Sequence, residues 1–441
     1  MMPRNNPDAM IEDVTNAMEV IQIPDSNPLV TPNPNEYRPL DSIEAAGPPA
    51  PPIEFDPPNF ERGRRDDVLV YIEQSQSHQQ AKNVLFRDFS RDTGDMDGGL
   101  NRVRQAYWPL PNKQRINTIM GHVEICIVLK RCTKDVFSDE SSSDSESSME
   151  DGEEDIVFQV TNQYVAVKVN YSSRMDQLRN RHAENPLQEI AAMQLIGNSH
   201  PNVMGTIEVL FDGENLNVVM PYCGSGDLFE LLQESQRKNE GFPESVARYW
   251  FRQIMEGVKY LHAKGVCHRD LSPENVMIDK NDCLIIDMGM AMRIPYTDPE
   301  DPSRVTDATR GTLRRLVLPQ GACGKLPYMS PEIYRSRQPF DGGAVDIWTA
   351  GTILFCMVTG NRSYQRPHET DPQFYWMTHG LERLLLDWGV QLSVECIHLM
   401  KHMLQIDPRL RLTLEEVLSH PWIQYPNATP PSAAAQIAAS I

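Results

Sequence analysis

The sequence predicts an α+β fold of two lobes, a small sheet-rich lobe followed by a larger helical one. Strand-like apolar runs at residues 125–129, 164–169 and 217–220 come first, and one helical pattern at residues 184–196 lies among them. Longer helical patterns then follow at residues 227–235, 244–264, 345–359, 394–405 and 413–418. Because strands and helices are grouped along the chain rather than alternating, we expect them to pack in separate lobes.

The net charge separates two appendages from this body. The 441 residues carry a formal net charge of -20. Residues 1–60 hold ten acids, two bases and 13 prolines, and residues 138–155 hold nine acids, seven serines and no base. These two segments contribute -17, so the rest of the chain is nearly neutral. An acidic chain is poorly suited to a phosphate backbone, and nucleic acid is not an expected partner.

Composition divides the chain into five segments. They are a disordered, acidic, proline-rich leader (residues 1–60), an extension of unassigned role (61–114), the small lobe with its acidic serine-rich insert (115–223, insert 138–155), the helical lobe (224–425) and a short disordered tail (426–441). Few aromatic residues and no apolar period predict disorder in the leader. Within the extension, residues 67–83 are predicted to form a short helix.

The chain shows neither a targeting signal nor a membrane span. Its N-terminus lacks a basic-then-apolar layout, and the most apolar stretch, residues 352–358, is far shorter than the roughly 20 residues of a membrane helix. The eight cysteines are scattered without a CxxC pair, so we expect buried, reduced thiols. We therefore expect a soluble protein without a membrane partner, located in the cytoplasm, with the nucleus as the alternative.

A loop after a long helical pattern carries the strongest chemical signal. Asp270 and Asn275 lie five residues apart in the segment VCHRDLSPENVMI, and Asp287 follows seventeen residues after Asp270, in the triplet Asp-Met-Gly. Upstream, Lys168 ends the strand-like run VAVK, and Glu189 lies on the next predicted helix. In this order and at these spacings, the four motifs resemble the eukaryotic protein kinases.

The resemblance spans about 70% of the chain, from residue 115 to residue 425. It continues through MSPE at residues 329–332, DIW at 346–348, DPRLR at 407–411 and HPW at 420–422. The sequence DLSPEN favours the serine/threonine type. Glu274, next to Asn275, resembles the acidic residue found there in kinases that prefer a basic residue upstream of the acceptor, including the calmodulin-dependent protein kinase group. The resemblance implies a bilobal protein kinase fold, ATP and Mg²⁺ as cofactors, and a protein substrate.

The resemblance also implies a role for each motif residue. Lys168 would hold the α- and β-phosphates of ATP, and Glu189 would pair with Lys168. Asp270 would orient the substrate hydroxyl and accept its proton. Asn275 and Asp287 would ligate the two magnesium ions, because hard cations prefer oxygen ligands.

Residues after the third strand-like run resemble the segment that binds adenosine. The backbone of Pro221 and Cys223, next to Met220, would bind the adenine ring, and Asp227 would contact the ribose. Glu332 and Arg411 are expected to form a buried ion pair that anchors the substrate-side loop.

The glycine-rich loop departs from the pattern G-x-G-x-x-G. Aligned with this pattern, the segment from Ile119 to Glu124 has a glycine only at the middle position, Gly121. Ile119 and Glu124 then occupy the first and third glycine positions. Glycine lets backbone N–H groups approach phosphates closely, and a glutamate at the loop would repel them. Two interpretations stay open: a looser ATP-binding loop in an active kinase, or impaired nucleotide binding in a scaffold that does not catalyse.

A second departure concerns the charge near the transferred phosphate. Serine/threonine kinases usually carry a lysine two residues after the catalytic aspartate, where this chain has Ser272. In the loop before MSPE, the usual threonine is replaced by Lys325. We hypothesise that Lys325 supplies the missing ammonium group from the opposite side. The alternative is an exposed lysine of the substrate loop.

A third departure concerns regulation. In the protein kinases, the arginine that precedes the catalytic aspartate, here Arg269, usually binds a phosphate on the activation loop. Residues 313–328, where the usual phosphorylation site falls, contain neither Ser nor Thr. Either Thr306, Thr309 or Thr312 is phosphorylated instead, or activity does not need loop phosphorylation; the second is favoured.

The acidic insert, expected beside the ATP-binding loop, is either a substrate of an acid-directed kinase or a solvated loop.

Overall fold

The computed structural model describes residues 47–89, 102–111, 113, 115–132, 157–178, 185–238 and 240–428. Its strands gather in a small N-terminal lobe and its long helices in a larger C-terminal lobe, which confirms the predicted two-lobed α+β fold. Most of the acidic leader, the acidic insert and nearly all of the tail lie outside these residues, so the predicted disorder of the leader and the tail stays a prediction there.

The described part of the small lobe contains eight strands and two α-helices. They are β1 (Glu61–Ile72), β2 (Ser77–Arg87), β3 (Gln105–Pro109), β4 (Ile116–Asn117), β5 (Gly121–Cys132), β6 (Val157–Tyr171), α1 (Ser172–Leu178), α2 (Pro186–Ile196), β7 (Glu208–Phe211) and β8 (Asn215–Pro221). Strands β4, β5, β6, β8 and β7 are neighbours in that order in one sheet. The antiparallel pairs β5–β6 and β6–β8 place Lys168 opposite Val123 and Val218. These three side chains therefore share one face of the sheet.

The helix predicted at residues 67–83 is wrong, because this stretch belongs to the antiparallel hairpin β1–β2. Strand β3 joins β2 to β5, and the start of β6 runs parallel to β1, which closes β1, β2, β3, β5 and β6 into a five-stranded ring. Apolar side chains from the ring strands, including Val70, Val84, Phe86, Leu129 and Phe158, fill its core. Closure leaves no free edge among these strands, so the extension is part of the small lobe.

The acidic insert leaves the lobe far from the loop at Gly121 that the sequence predicts to bind ATP. It connects Cys132, the last residue of β5, to Val157, the first residue of β6. The turn between β4 and β5 lies at the opposite end of β5, next to Gly121. Twelve residues of strand separate the two ends, or about 35 Å. The expectation that the insert starts beside the loop is therefore wrong.

Residues 47–60, which we name the N-terminal strap, are ordered although they were predicted to be part of the disordered leader. Ala50 forms a parallel bridge with Val317, and Ile53 forms an antiparallel bridge with Arg293. Phe55 packs against the core of the large lobe. Prolines restrict the unfolded chain, so less conformational entropy is lost when such a segment is held in place by a few contacts.

The large lobe is built around two long helices. Its helices are α3 (Leu228–Lys238), α4 (Glu244–Ala263), α5 (Pro331–Arg335), α6 (Gly342–Thr359), α7 (Pro372–His379), α8 (Leu381–Asp387), α9 (Val394–Met403), α10 (Leu414–Ser419) and α11 (Pro421–Gln424). Short strand pairs are β9 (Val266–Cys267) with β12 (Met292–Arg293), β10 (Val276–Asp279) with β11 (Asp282–Ile285), and β13 (Tyr296–Thr297) with β14 (Val305–Thr306). Helix α6 is long and apolar enough to cross a membrane, but every residue of it is buried in the lobe.

The expected ion pair between Glu332 and Arg411 is present. Arg411 Nη1 donates to Glu332 Oε1 at 2.7 Å and Nη2 donates to Oε2 at 3.2 Å. The same guanidinium donates to the carbonyls of Ala344 and Gln405. The Arg411 side chain has no solvent exposure. The pair therefore fixes the loop before α5 to the start of α6.

We expect Arg411→Leu to lower the free energy of unfolding by about 3–5 kcal/mol, because Glu332 would keep a largely buried charge without a partner. Arg409→Leu is the matched control, since Arg409 pairs with Asp407 at 2.8 Å but is 60% exposed. Exposed pairs contribute about 0–1 kcal/mol. Urea unfolding monitored by circular dichroism measures both, and equal losses in the two variants would contradict the anchoring role.

Candidate active site

Lys168 and Glu189 form the ion pair that joins the sheet to helix α2. Lys168 Nζ donates to Glu189 Oε1 at 2.7 Å and to Oε2 at 2.8 Å. The start of α2 is fixed by Asn185, whose Oδ1 accepts from the Leu187 N–H at 3.1 Å, and by Pro186 in the first turn. The Gln188 side chain donates to the Ala291 carbonyl of the large lobe at 3.0 Å. The helix is thus aligned with both lobes.

A buried carboxylate on helix α6 holds the loop that bears Asp270. Asp346, on helix α6, accepts from the N–H groups of His268 and Arg269, each at 2.9 Å. Arg269 adopts a left-handed conformation with φ 63°, which is uncommon for a non-glycine residue. Asn275 Nδ2 donates to the Asp270 carbonyl at 2.8 Å and to Asp270 Oδ2 at 3.2 Å. The loop therefore presents Asp270 in a fixed position.

Lys325 lies opposite Ser272, as the sequence predicted. Lys325 Nζ is 2.7 Å from Ser272 Oγ and 3.7 Å from Asp270 Oδ2. The Lys325 N–H donates to Asp270 Oδ1 at 2.9 Å. Gly324, with φ 89°, permits this approach, because a Cβ there would lie 2.7 Å from the Arg269 carbonyl oxygen. One residue thus contacts Asp270 through both its backbone and its side chain.

The pKa of the Asp270 carboxyl is raised by burial. The positive charge of Lys325 and the hydrogen bond from the Lys325 N–H oppose this shift. Burial disfavours the charged form, and a nearby ammonium group favours it. Lys325 therefore helps to keep Asp270 ionised.

Asp287 closes the site on the side of the large lobe. Its backbone is left-handed with φ 66°, and its Oδ1 accepts from the Gly289 N–H at 3.1 Å. The carbonyl of the preceding residue, Ile286, contacts His268 Nε2 at 2.9 Å. The sequence motif around Asp287 is thus tied to the Asp270 loop by a short hydrogen bond.

The predicted adenosine-binding residues line the end of β8 and the segment after it. Met220 and Pro221 pair with Ala166 and Val165 of β6. Burial raises the pKa of the Cys223 thiol to about 12, so this thiol is not a nucleophile. Asp227 is partly buried, and its Oδ1 accepts from the Glu230 N–H at 2.9 Å. These four positions lie along the connection between the lobes.

The structure corrects the alignment of the glycine-rich loop. The turn between β4 and β5 covers residues 118–120, and Gly121-His122-Val123 matches the last part of G-x-G-x-x-G-x-V. Gly121 is therefore the third glycine position rather than the middle one. It is required for packing, because a Cβ would lie 1.8 Å from the Val169 carbonyl oxygen.

Glu124 does not face the site, so the expected repulsion of phosphates is wrong. Glu124 pairs with Val167, one residue away from Lys168, and its side chain points to the opposite face of the sheet. It is buried and paired with Arg65 at 2.8 Å and Arg115 at 3.2 Å. Arg65, on β1, was missed because the extension had no assigned role. The Glu124 carboxylate is therefore no reason to expect impaired nucleotide binding.

The donor set fits ATP with magnesium. Asn275 uses its amide nitrogen for Asp270, which leaves the amide oxygen as an acceptor for a cation, and Asp287 adds a carboxylate. In the described residues, no three His, Cys, Asp or Glu side chains are grouped to hold a metal by themselves. Where Mg²⁺ is bound together with substrate phosphates, the protein usually supplies only one or two oxygen ligands. Asn275 and Asp287 supply two.

Comparison with known proteins agrees with the geometry. The family model described as protein kinase domain matches residues 151–423. The chain is 34% identical over 239 residues to the probable serine/threonine-protein kinase HSL1 of Saccharomyces cerevisiae, covering 54% of this chain and 14% of that protein. It is 30% identical over 276 residues to the SNF-related serine/threonine-protein kinase of Homo sapiens, covering 61% of this chain and 31% of that protein.

A third relative is the serine/threonine-protein kinase CHK1 of Saccharomyces cerevisiae, 31% identical over 228 residues, or 51% of this chain and 39% of that protein. The chain thus spans well under half of the length of these three relatives. The family model nevertheless covers more than half of the present sequence. The chain belongs to the protein kinase family.

Proposed function

We propose that this protein is a serine/threonine kinase that transfers the γ-phosphate of ATP to protein hydroxyl groups. The observation that carries the proposal is the arrangement around Asp270. Its carboxylate lies between the Asn275 amide and the Lys325 N–H and ammonium group. A carboxylate held in this way is positioned to orient a hydroxyl and take its proton.

Residues of both lobes bind and orient ATP. Lys168, fixed by Glu189, holds the α- and β-phosphates, while the backbone at Pro221 and Cys223 binds the adenine ring beside Met220. Gly121 and the turn before it cover the phosphates, and Asp227 contacts the ribose. Asn275 and Asp287 would hold Mg²⁺, which would supply neutralisation of the phosphate charge.

In the transfer step, the substrate hydroxyl oxygen forms a bond to the γ-phosphorus as the bond from that phosphorus to the β-γ bridging oxygen breaks. The hydroxyl proton passes to the Asp270 carboxylate, and ADP leaves with the bridging oxygen. Lys325, 2.7 Å from Ser272 Oγ, stabilises the negative charge of the transferred group. We therefore assign Lys325 the role that a lysine at position 272 usually has.

Glu274 supports a preference for basic substrates. Its Oε2 atom is buried and has no hydrogen-bond partner in the described part of the chain. Glu274 as a whole is only partly buried, so a substrate arginine can pair with its carboxylate through charge-assisted hydrogen bonds. We infer that the substrate carries a basic residue upstream of its Ser or Thr.

The serines of the acidic insert are proposed targets of an acid-directed kinase, because most of its seven serines precede an acid closely. The insert leaves the small lobe at the end remote from the ATP-binding loop, so such modification would affect partners more than catalysis. Mass spectrometry after incubation with an acid-directed kinase should find phosphate in residues 138–155. Phosphate found only elsewhere would contradict this.

We expect Asp270→Asn to reduce kcat by about 100- to 10,000-fold, since the amide cannot accept the proton. Asp282→Asn, an exposed change on β11, is the control and should keep the wild-type rate. Radiolabelled phosphate transfer to Ser peptides with Arg or Ala upstream measures the rate. Equal incorporation with Asp270→Asn would exclude the function, whereas equal use of Arg and Ala peptides would exclude only the basic preference.

We expect Lys325→Ala to move the acidic limb of the pH–rate profile to higher pH. Lys325 lowers the pKa of Asp270 against the effect of burial, so its removal lets that pKa rise, and the active carboxylate is then lost earlier as pH falls. Ser272→Lys in the same chain should partly restore both the limb and kcat. A fully active Lys325→Ala with an unchanged profile would contradict the role of Lys325.

A further inference from the structure

The N-terminal strap contacts three elements whose relative positions define the active site. At one end, the Ala50 N–H donates to the Leu316 carbonyl at 3.0 Å, and the Leu318 N–H donates to the Ala50 carbonyl at 2.9 Å. Val317, between them, pairs with Phe340 through two further backbone hydrogen bonds. Ala50 is buried. The strap thus forms a β-bridge with the segment that leads to Lys325.

The middle of the strap holds the backbone just beyond Asp287. The Ile53 N–H donates to the Arg293 carbonyl at 3.2 Å, and Arg293 Nη1 donates back to the Glu54 carbonyl at 3.0 Å. Arg293 is six residues after Asp287 and is itself buried. Asp307 accepts from its other Nη at 2.6 Å. This part of the chain is therefore fixed by the strap on one side and by Asp307 on the other.

The far end of the strap holds helix α2. Gln194 Oε1 accepts from the Asn59 N–H at 2.9 Å, and Gln194 Nε2 donates to the Asn59 carbonyl at 2.6 Å. Gln194 is on the same helix as Glu189, so this two-bond contact restrains the helix that bears the partner of Lys168. The strap then continues into β1.

The strap also covers the place where a loop phosphate would bind. Residues 52–58 form one wall of a cavity of about 460 Å³. Arg269 and Arg293 are among its lining residues, together with Asn185 and Gln188 of the α2 region. Residues 313–328, which include the usual phosphorylation position, contain no Ser or Thr. The same elements that a phosphate would connect are instead connected by the strap.

We propose that the N-terminal strap takes the place of activation-loop phosphorylation by holding α2, Arg293 and Val317 in the catalytic arrangement. This inference rests on the proposed kinase function only for its activity readout. The strap contributes three backbone hydrogen bonds at Ala50 and Ile53 and two at Asn59, which together span both lobes. Strap residues act as positioning residues, because none of them is placed at the substrate or at ATP.

The test uses the full chain with the double substitution Ile53→Pro and Gln194→Ala. Proline removes the N–H that donates to Arg293, and alanine removes both bonds to Asn59. Glu54→Ala is the matched control, because only its exposed side chain changes. After phosphatase treatment verified by mass spectrometry, we measure hydrogen–deuterium exchange of α2, kcat with a Ser peptide, and Tm.

We expect the double variant to exchange α2 amides at least about tenfold faster and to lose at least about tenfold in kcat, while Tm changes little. Phosphatase-treated wild type should keep its kcat. If Ile53→Pro unfolds the chain, Gln194→Ala alone, a change of a partly exposed side chain, must still accelerate α2 exchange.

Exchange of α2 equal to that of the Glu54→Ala control would overturn the proposal, and so would loss of wild-type kcat upon phosphatase treatment. If the untreated wild type transfers no phosphate at all, the kinase function fails instead. The exchange of α2 then still decides whether the strap positions the helix.

Discussion

The ion pair between Lys168 and Glu189 is the constraint on which the catalytic arrangement depends. An isolated ion pair at a surface contributes little, but this one is largely buried and both carboxylate oxygens lie within 2.8 Å of one ammonium group. Its geometry requires α2 to stand at one distance and angle from β6. The Asn185 cap, the Gln188 contact with Ala291 and the Gln194 contact with Asn59 restrain the helix from three sides. The pair therefore reports whether sheet, helix and large lobe are aligned.

In the large lobe, buried charged side chains keep the loops around Asp270 and Lys325 in position. Asp346 receives two N–H groups of the loop before Asp270 and also contacts His262 Nε2 at 2.9 Å. Arg411 ties the helix that bears Asp346 to the segment after Lys325 through Glu332. These contacts fix two pieces of chain that would otherwise be free to move relative to each other, so Lys325 can serve a loop more than fifty residues away in sequence. In the proposed mechanism, Lys325 takes the place of a lysine at position 272, so the same charge comes from a different segment.

The two-lobed fold and the proposed catalytic residues were predictable from the sequence, because phosphoryl transfer needs particular side chains at spacings that the fold imposes. Lys325 was predictable for the same reason, since its position is fixed relative to Glu332. The strands β1 and β2 were not, because polar residues interrupt their apolar side chains and their partners β5 and β6 are distant in sequence. Glu124 was misjudged since only the pairing of Val123 with Lys168 shows which face it occupies. The strap was hidden by its composition: prolines and acids predict disorder, while its order comes from backbone hydrogen bonds to Leu316, Leu318 and Arg293.

We infer that Lys168, Glu189 and Asp270 are assembled for phosphoryl transfer without a phosphate on the activation loop. The most direct measurement is the rate of γ-phosphate transfer to a Ser peptide by the full chain after complete dephosphorylation, with Lys168→Met measured alongside. We expect sustained transfer by the wild type and a reduction of about 1,000-fold in the variant, because the charge that holds the α- and β-phosphates of ATP is removed. Transfer that is absent from the dephosphorylated wild type, or equal in the two proteins, would contradict it.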